Sequence, residues 1–203
     1  MSTATIPPPM APATSLPAVP TRRPMTEEEF LALPDDGVER WLIDGEVREY
    51  GSSIRDFFYS HAIARVGRFL DNWLDAQPEP RGAIIGGEAG VRLAGGRLVG
   101  VDVAYVAAGL KVSDTSERTI VDGVPTLIVE ILSPSDTNEK VTEKLRTYAS
   151  AKVPIVWRLD PGDKTVTVYQ HGKPPVLFNE TQELTAEPQL PGFRVRVADL
   201  FGR

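Results

Sequence analysis

Hydrophobic residues recur with a helical period in two segments of the chain. From Ser60 to Ala76 the apolar positions lie three or four residues apart until prolines end the pattern, which predicts an amphipathic helix. A second helix is predicted from Asn138 to Ala151, where the apolar stripe consists of Val141, Leu145 and Tyr148. A shorter helix is predicted to begin after Thr26, because this cap residue is followed by three glutamates.

Segments with strand character separate these helices. Asp44-Gly45 stands between two apolar runs and predicts a two-residue turn in a β-hairpin from Val38 to Tyr50. The other predicted strands are 83–93, as one bent strand or two short ones, 98–106, 126–132, 153–159, 165–169 and 193–197. Residues 107–123 are polar and weakly periodic, which indicates a loop or a short helix.

The order of these elements predicts an α/β (α+β) fold, in which helices flank a mixed central β-sheet with an added N-terminal hairpin and C-terminal antiparallel strands. The run from Thr126 to Leu132 is apolar on both faces and is therefore the predicted central strand. Along 98–106 a strict alternation predicts one shared face for Val99, Val101, Val103 and Tyr105. Residues 1–24, rich in Pro and Ala, are predicted to be a disordered tail, and residues 25–203 a single domain.

Composition excludes several kinds of site. The chain has no cysteine, which rules out disulfides, thiolate nucleophiles and Cys-ligated metals, and its two histidines make a His-rich metal site improbable. The 22 basic residues are outnumbered by 28 acidic ones, so contact with a polyanion requires a local basic patch. No apolar run reaches the roughly 20 residues needed to cross a bilayer. We therefore expect a cytoplasmic protein without membrane contact.

Two acidic residues interrupt otherwise apolar strands. Asp102 and Glu130 are each the odd polar residue of a predicted strand, where an unpaired charge would cost several kcal/mol of desolvation. Sequential strands are usually neighbours, so both carboxylates can project from one face of the sheet. Two like charges that close require a cation between them, and oxygen ligands favour Mg2+ or Mn2+.

Lys144 lies at the edge of the apolar stripe of the second helix, from which its ammonium can reach Glu130. A buried Glu130–Lys144 ion pair without any chemistry would explain the same spacing. Asp102 favours the functional interpretation, because one lysine does not neutralise two acids.

Together with other motifs of the chain, these acids and Lys144 resemble the Uma2 family of restriction-endonuclease-like proteins, within the PD-(D/E)XK nuclease superfamily. The resemblance extends over about residues 26–201 and rests on motifs in the same order, namely Asp44-Gly45-Glu46, His61, Glu88–Leu93, Val101–Val106, Val129–Ser135, Lys144, Tyr148, Val153–Trp157 and Leu190–Phe193. It implies a restriction-endonuclease-like core and metal-dependent cleavage of DNA.

Position by position, the resemblance places Asp102 on the first metal-binding acid and Glu130 on the second, with the carbonyl of Ile131 as a further ligand. The usual superfamily lysine would fall on Leu132, which cannot serve, and Lys144 on the following helix takes that role. Two positions depart from the family pattern. Val101 replaces the usual proline, and Trp41 replaces a glutamate that Glu39 could supply from two residues earlier, unless Glu39 is a surface residue.

Other candidates have two interpretations each. His61 is either an active-site neighbour or a residue of the helix start. Glu88 is either an acid of the metal site or a charge at a strand edge. Arg65 and Arg68 could face a phosphate backbone or solvate a helix, and Arg92 and Arg97 are further candidates for phosphate contact.

The predicted function is a Mg2+- or Mn2+-dependent endodeoxyribonuclease, a hydrolase that we expect to be a homodimer because nucleases that cut two strands often are. The rival is a catalytically silent interaction or nucleic-acid-binding module that retains the nuclease fold.

Overall fold

The computed structural model describes residues 23–50, 56–114 and 119–202. The helices are α1 (Glu27–Leu31), α2 (Phe57–Asp75), α3 (Asn138–Ser150) and α4 (Val197–Phe201). The strands are β1 (Glu39–Ile43), β2 (Glu46–Tyr50), β3 (Ala83–Leu93), β4 (Arg97–Val106), β5 (Lys111–Asp114), β6 (Thr119–Asp122), β7 (Leu127–Ile131), β8 (Ile155–Asp160), β9 (Thr165–Gln170), β10 (Val176–Phe178), β11 (Glu183–Ala186) and β12 (Leu190–Arg196). The predicted disordered tail lies almost wholly outside the described residues, so the domain boundary at residue 25 stays a prediction.

Ten strands form one mixed sheet, in the order β10-β9-β8-β7-β4-β3-β6-β5 with the β1–β2 hairpin attached through β1 to β4. Strand β7 lies in its middle, antiparallel to β4 and parallel to β8. Strands β11 and β12 form a separate two-stranded sheet. The mixed sheet, the N-terminal hairpin and the antiparallel C-terminal strands were all predicted, although β12 does not join the main sheet.

Local sequence explains the hairpin and the caps. Asp44 and Gly45 both have positive φ, 52° and 81°, as a turn of this type requires. Thr26 forms a capping box with Glu29 at the start of α1. Helix α2 begins three residues before the predicted start, because Asp56 accepts a hydrogen bond from the backbone N–H of Tyr59 and caps the helix there.

The sheet separates two hydrophobic cores. Helix α2, α4 and the β11–β12 sheet pack against one face, whereas α3 and the β1–β2 hairpin pack against the other. All five residues of β7 are buried, with Leu127, Val129 and Ile131 in the first core and Ile128 in the second. The predicted coverage of the central strand on both faces is therefore confirmed, and Glu130 shares the α3 side of the sheet with Ile128.

The alternation predicted along β4 is wrong, because it changes phase at Asp102. Val99 and Val101 belong to the core beneath α3, whereas Val103 belongs to the core beneath α2. The β3 strand carries a bulge opposite this point, where its register with β4 shifts between Gly86 and Ala89. The neighbours of β4 also change, from β1 at its start to β7 at its end. Asp102 thus lies between the part of β4 that pairs with β1 and the part that pairs with β7.

Two other expectations fail. Residues 107–123 contain strands β5 and β6, which pair with each other at one end of the sheet. Sequence periodicity is weak there because the strands have only four residues each and β5 lies at the edge of the sheet. At the C-terminus, Val197 begins α4 and does not continue the preceding strand. Among the described residues, no helix has the length and apolar character to cross a membrane.

Candidate active site

Asp102 and Glu130 lie side by side on neighbouring antiparallel strands. The antiparallel register pairs Val103 of β4 with Val129 of β7. Asp102, one residue before Val103, therefore comes opposite Glu130, one residue after Val129. Their exposed fractions are 3% for Asp102 and 6% for Glu130. The prediction that the two acid-bearing strands are neighbours is confirmed.

Two donors hold the Asp102 carboxylate. The hydroxyl of Tyr59, on α2, donates a hydrogen bond to Oδ1. The backbone N–H of Ile131 donates to Oδ2 at 2.7 Å. Because Leu132 N donates to Leu159 O on β8 and backbone groups alternate in direction along a strand, the carbonyl of Ile131 points to the β4 side, as its N–H does.

Glu130 is held from the α3 side. Lys144 donates from Nζ to Glu130 Oε2 at 3.0 Å, so the expected reach of this lysine back to the strand is confirmed. The Tyr148 hydroxyl, one helical turn further, donates to Oε1. Burial of a tyrosine requires a partner for its hydroxyl, and here that partner is a candidate metal ligand.

Glu39 joins this cluster from β1. Lys144 Nζ also donates to Glu39 Oε1, at 2.8 Å, and Trp41 Nε1 donates to the same oxygen at 3.1 Å. The exposed fraction of Glu39 is 8%, so it is not a surface residue. The structure thus brings together Glu39, Asp102, Glu130 and Lys144 through contacts between β1, β4, β7 and α3.

Burial dominates the electrostatics of the two strand acids. It raises the pKa of Asp102 to about 6, against the opposing effects of Lys144 and the Tyr59 hydrogen bond. It raises the pKa of Glu130 to about 8, with Asp102 adding to the rise and Lys144 opposing it. Burial alone would lower the pKa of Lys144, but Glu130, Glu39 and Asp102 together hold it above its ordinary value. One lysine therefore leaves the acid pair undercompensated.

The donor set fits a hard divalent cation. Asp102, Glu130 and the Ile131 carbonyl supply only oxygen, and a dication would balance the charge that Lys144 leaves. Within the described ranges, no group of three or more His, Cys, Asp or Glu side chains is arranged to hold a metal. The fit thus rests on two carboxylates and one backbone oxygen.

Glu88 and His61 lie outside these contacts. Glu88 sits in the β3 bulge with a φ of 60° and is exposed, so it does not form a three-carboxylate group with Asp102 and Glu130. His61 stacks on Phe57 with 5.5 Å between ring centroids and packs against Gly202. It lies two residues after Tyr59, about 200° around the helix from the side chain that reaches Asp102.

Three of the four candidate arginines have internal partners. Arg92 pairs with Glu27 and Asp122, which ties α1 to the sheet. Arg97 pairs with Asp44 at 3.1 Å. Arg65 donates to the backbone carbonyl of Asp199 at 2.8 Å and lies over the Phe69 ring. Arg68 is exposed on α2. Of the four, it is therefore the arginine whose side chain is exposed to an external partner.

Two cavities adjoin the cluster. A cleft of about 450 Å3 includes Glu39, Tyr59 and Glu88 in its lining. It reaches the cluster at Glu39 and at Tyr59, the hydrogen-bond partner of Asp102. A second cavity of about 10 Å3, lined in part by Glu130, Lys144 and Arg158, has room for about one water molecule.

Sequence reasoning missed the aromatic partners of the charged residues. Tyr59 lies just before the predicted start of its helix, and Tyr148 is named in the apolar stripe and among the family motifs without a hydrogen-bond partner. Trp41 was noted only as a departure from the family pattern. One signal was available: a tyrosine or tryptophan within an apolar stripe needs a partner for its polar atom when buried.

The comparisons with known proteins agree with one another. The chain matches the family described as "Uma2: Putative restriction endonuclease" over residues 27–198, from the first residue of α1 into α4. It is also similar to the crystal structure of a "putative nuclease belonging to DUF820" from Anabaena variabilis ATCC 29413, with 19% sequence identity and a TM-score of 0.73. That match covers 88% of this chain and 98% of the other, and it confirms the predicted fold class. A comparison with curated proteins finds no match.

Proposed function

This chain belongs to the Uma2 family, as the resemblance in its sequence indicates, and from that premise we propose that it is a metal-dependent endonuclease that hydrolyses phosphodiester bonds in DNA. The observation that carries the proposal is the juxtaposition of Asp102 and Glu130 on adjacent strands with Lys144 bound to one of them. Two buried acids beside a single lysine form an arrangement suited to a divalent cation.

In this proposal Asp102, Glu130 and the carbonyl of Ile131 hold Mg2+ or Mn2+. The bound cation supplies Lewis-acid chemistry toward the phosphate and water. Tyr59 and Tyr148 hold one oxygen of each carboxylate through hydrogen bonds, which leaves lone pairs for coordination. The sheet register keeps the two ligands at a constant spacing.

Lys144 provides the cationic donor of the reaction. An ammonium has three N–H donors, and two of them are used by Glu39 and Glu130. The third is left to orient the attacking water and to stabilise negative charge on the phosphate as it develops. Glu39 is the second carboxylate that binds the ammonium.

DNA is proposed as the substrate through family membership. The net charge of −6 disfavours tight non-specific binding, so phosphate contact depends on local groups, of which Arg68 is the exposed candidate. The cleft lined by Glu39 and Tyr59 is the proposed approach of the phosphodiester to the acids.

Plasmid nicking tests the proposal directly. Wild-type protein is incubated with supercoiled plasmid and Mg2+ or Mn2+, in parallel with Asp102→Asn, Glu130→Gln and Lys144→Met. We expect nicking that disappears on chelation and falls by about 100-fold or more in each variant. Equal activity in all four proteins would overturn the catalytic assignment, and Arg194→Gln, at an exposed ion pair, serves as the matched control.

A second candidate is a catalytically silent module with the same fold. Each of the four oxygens of Asp102 and Glu130 already accepts a hydrogen bond, which is also what a purely structural polar network requires. Binding of Mn2+, measured by electron paramagnetic resonance, separates the two. A silent network would bind no Mn2+ at this site, so the Mn2+ spectrum would be the same with wild-type protein and with Asp102→Asn.

The homodimer and the cytoplasmic location remain part of the proposal. A nuclease that cuts both strands needs two sites, which two copies of this chain would provide. A light-scattering mass of one chain at working concentration would contradict the homodimer.

A further inference from the structure

Trp41 contacts both Glu39 and Lys144. Its indole Nε1 donates to Glu39 Oε1 at 3.1 Å, and its ring centroid lies 4.9 Å from Lys144 Nζ. Lys144 donates to that same oxygen of Glu39 at 2.8 Å. Acid, lysine and indole therefore form a closed group in which each member touches the other two.

The indole itself is rigidly held. Trp41 has no exposed surface and packs against Tyr50 and Tyr148, with ring centroids 4.8 Å and 5.6 Å away. Tyr50 lies 5.1 Å from Lys144 Nζ and donates from its hydroxyl to Glu143 Oε2 at 3.0 Å. Two aromatic rings thus adjoin the lysine ammonium, and the polar atom of each is bonded to a carboxylate.

The flexible side chain of Lys144 needs support to hold its ammonium in one place. This side chain has four rotatable carbon bonds, and the site requires one orientation of its ammonium. Aromatic faces attract a cation but offer no strong acceptor, so they hold the ammonium without using a donor. The third N–H of Lys144 therefore stays available.

We propose that Trp41 is a positioning residue of this site, which acts by holding Lys144 and Glu39 in their mutual arrangement. This inference rests on the proposed nuclease function for its kinetic consequence, but the arrangement itself can be measured without activity. The indole has two separable contributions, the ring face toward Lys144 and the Nε1 donor toward Glu39.

Three variants separate these contributions. Trp41→Phe keeps an aromatic face and removes the Nε1 donor, whereas Trp41→Leu removes both. Trp157→Phe is the matched control, because Trp157 is also fully buried, lies in the other core and, within the part of the chain that the structure describes, has no hydrogen-bond partner for its Nε1. A loss caused only by core packing would appear equally in the control.

Kinetics of plasmid nicking give the first readout. We expect kcat to fall by about 10-fold to 100-fold in Trp41→Leu and by less in Trp41→Phe, with KM and the affinity for Mn2+ unchanged. Trp157→Phe should retain wild-type kcat. Loss of Mn2+ affinity in parallel with kcat would overturn the inference, because Trp41 would then act on the metal ligands.

A double-mutant cycle shows whether Trp41 acts through Lys144. In the Lys144→Met background, Trp41→Phe should change kcat by less than about twofold, because the group it positions is gone. If instead the two losses multiply, Trp41 acts independently of Lys144 and the inference fails.

The arrangement is tested separately by nuclear magnetic resonance of protein labelled with 13C-lysine, in which Lys144→Met assigns the signal. Ring currents from Trp41 and Tyr50 should move the ε-methylene resonance of Lys144 upfield of the exposed Lys152 and Lys164, and Trp41→Leu should remove most of that shift. An upfield shift in a protein that cuts no DNA would overturn the nuclease proposal and support the positioning. An ordinary shift in a protein that does cut DNA would overturn the positioning alone.

Discussion

The carboxylate of Asp102 accepts a hydrogen bond from the backbone N–H of Ile131, with 2.7 Å between Oδ2 and N. A side chain of β4 thus accepts a hydrogen bond from a backbone N–H that would otherwise donate to a backbone carbonyl. Because Ile131 directly follows Glu130, this bond links the positions of the two acids. Their spacing is thus set by the register of the central strands and does not depend on a loop.

Tyr59→Phe tests the other contact of Asp102. The change leaves a buried carboxylate oxygen without its donor, so we expect the free energy of unfolding to fall by about 1–3 kcal/mol. Affinity for Mn2+ should fall about tenfold or more, because the ligand loses a group that orients it. Urea denaturation and Mn2+ titration measure the two effects. Tyr105→Phe is the control, since within the described residues the Tyr105 hydroxyl has no hydrogen bond, and equal losses in both variants would contradict the assignment.

Lys144→Met tests the compensation of Glu130. Among the described residues, removal of the ammonium leaves Glu130 with the Tyr148 hydroxyl as its remaining donor, in a site where the Lys144 side chain is only 12% exposed. We expect a loss of about 3–5 kcal/mol in the free energy of unfolding, as for other buried pairs that lose one partner. Adding Glu130→Gln should recover part of this loss, because it removes the uncompensated charge. A loss below about 1 kcal/mol would indicate a solvated pair.

The raised pKa values of the two acids predict how the stability of the metal-free protein depends on pH. Asp102 and Glu130 have pKa values of about 6 and about 8 in the folded state, against ordinary values of 3.8 and 4.5. The folded state therefore retains protons that the unfolded state has released, so the metal-free protein should lose stability as pH rises from about 4 to about 8. Lys144 does not change this sign, because its pKa is raised from 10.5, above that window.

A divalent cation must displace the same protons. We therefore expect the apparent affinity for Mn2+ to rise with pH between about 5 and about 8, by up to about tenfold per pH unit for each proton displaced. The increase in melting temperature that Mn2+ causes should grow in parallel, and the Asp102→Asn, Glu130→Gln double variant should show no increase. An Mn2+-induced increase that is independent of pH would contradict this prediction.

Arg68 and Arg92 should differ in their effect on DNA binding. If Arg68 contacts a phosphate, Arg68→Ala reduces the slope of log affinity against log salt by about 1. Arg92→Ala should leave that slope unchanged and lower the free energy of unfolding by about 1–3 kcal/mol, because Arg92 is bonded to Glu27 and Asp122. Fluorescence anisotropy at several salt concentrations compares the two. A reduced slope for Arg92→Ala alone would reverse the assignment.

Much of the fold followed from local patterns. Asp44-Gly45 predicted the hairpin because both positions need a positive φ that these residues tolerate. The stripe of Val141, Leu145 and Tyr148 predicted α3, and its direction predicted that Lys144 would reach the central strand. Asp102 and Glu130 were identifiable because a lone carboxylate in an apolar strand requires compensation.

Other features had no local signal. Strands β5 and β10 are short and lie at the two edges of the sheet, where exposed positions weaken the hydrophobic alternation. The change of phase at Asp102 depends on a bulge in the neighbouring β3 strand, which the sequence of β4 does not contain. The contact of Lys144 with Glu39 joins residues that are 105 positions apart.

The sequence by itself determined the type of most elements and the residues whose burial needed a partner. Periodicity and turn chemistry act between residues close in the chain, so they can be recognised without knowledge of the fold. Apart from the reach of Lys144 to Glu130, only the tertiary structure decided which partners these residues have, including Tyr59 for Asp102 and Trp41 for Glu39. Those pairings depend on strand order, on register and on the rotation of each helix over the sheet, and all three are set by packing between segments distant in sequence.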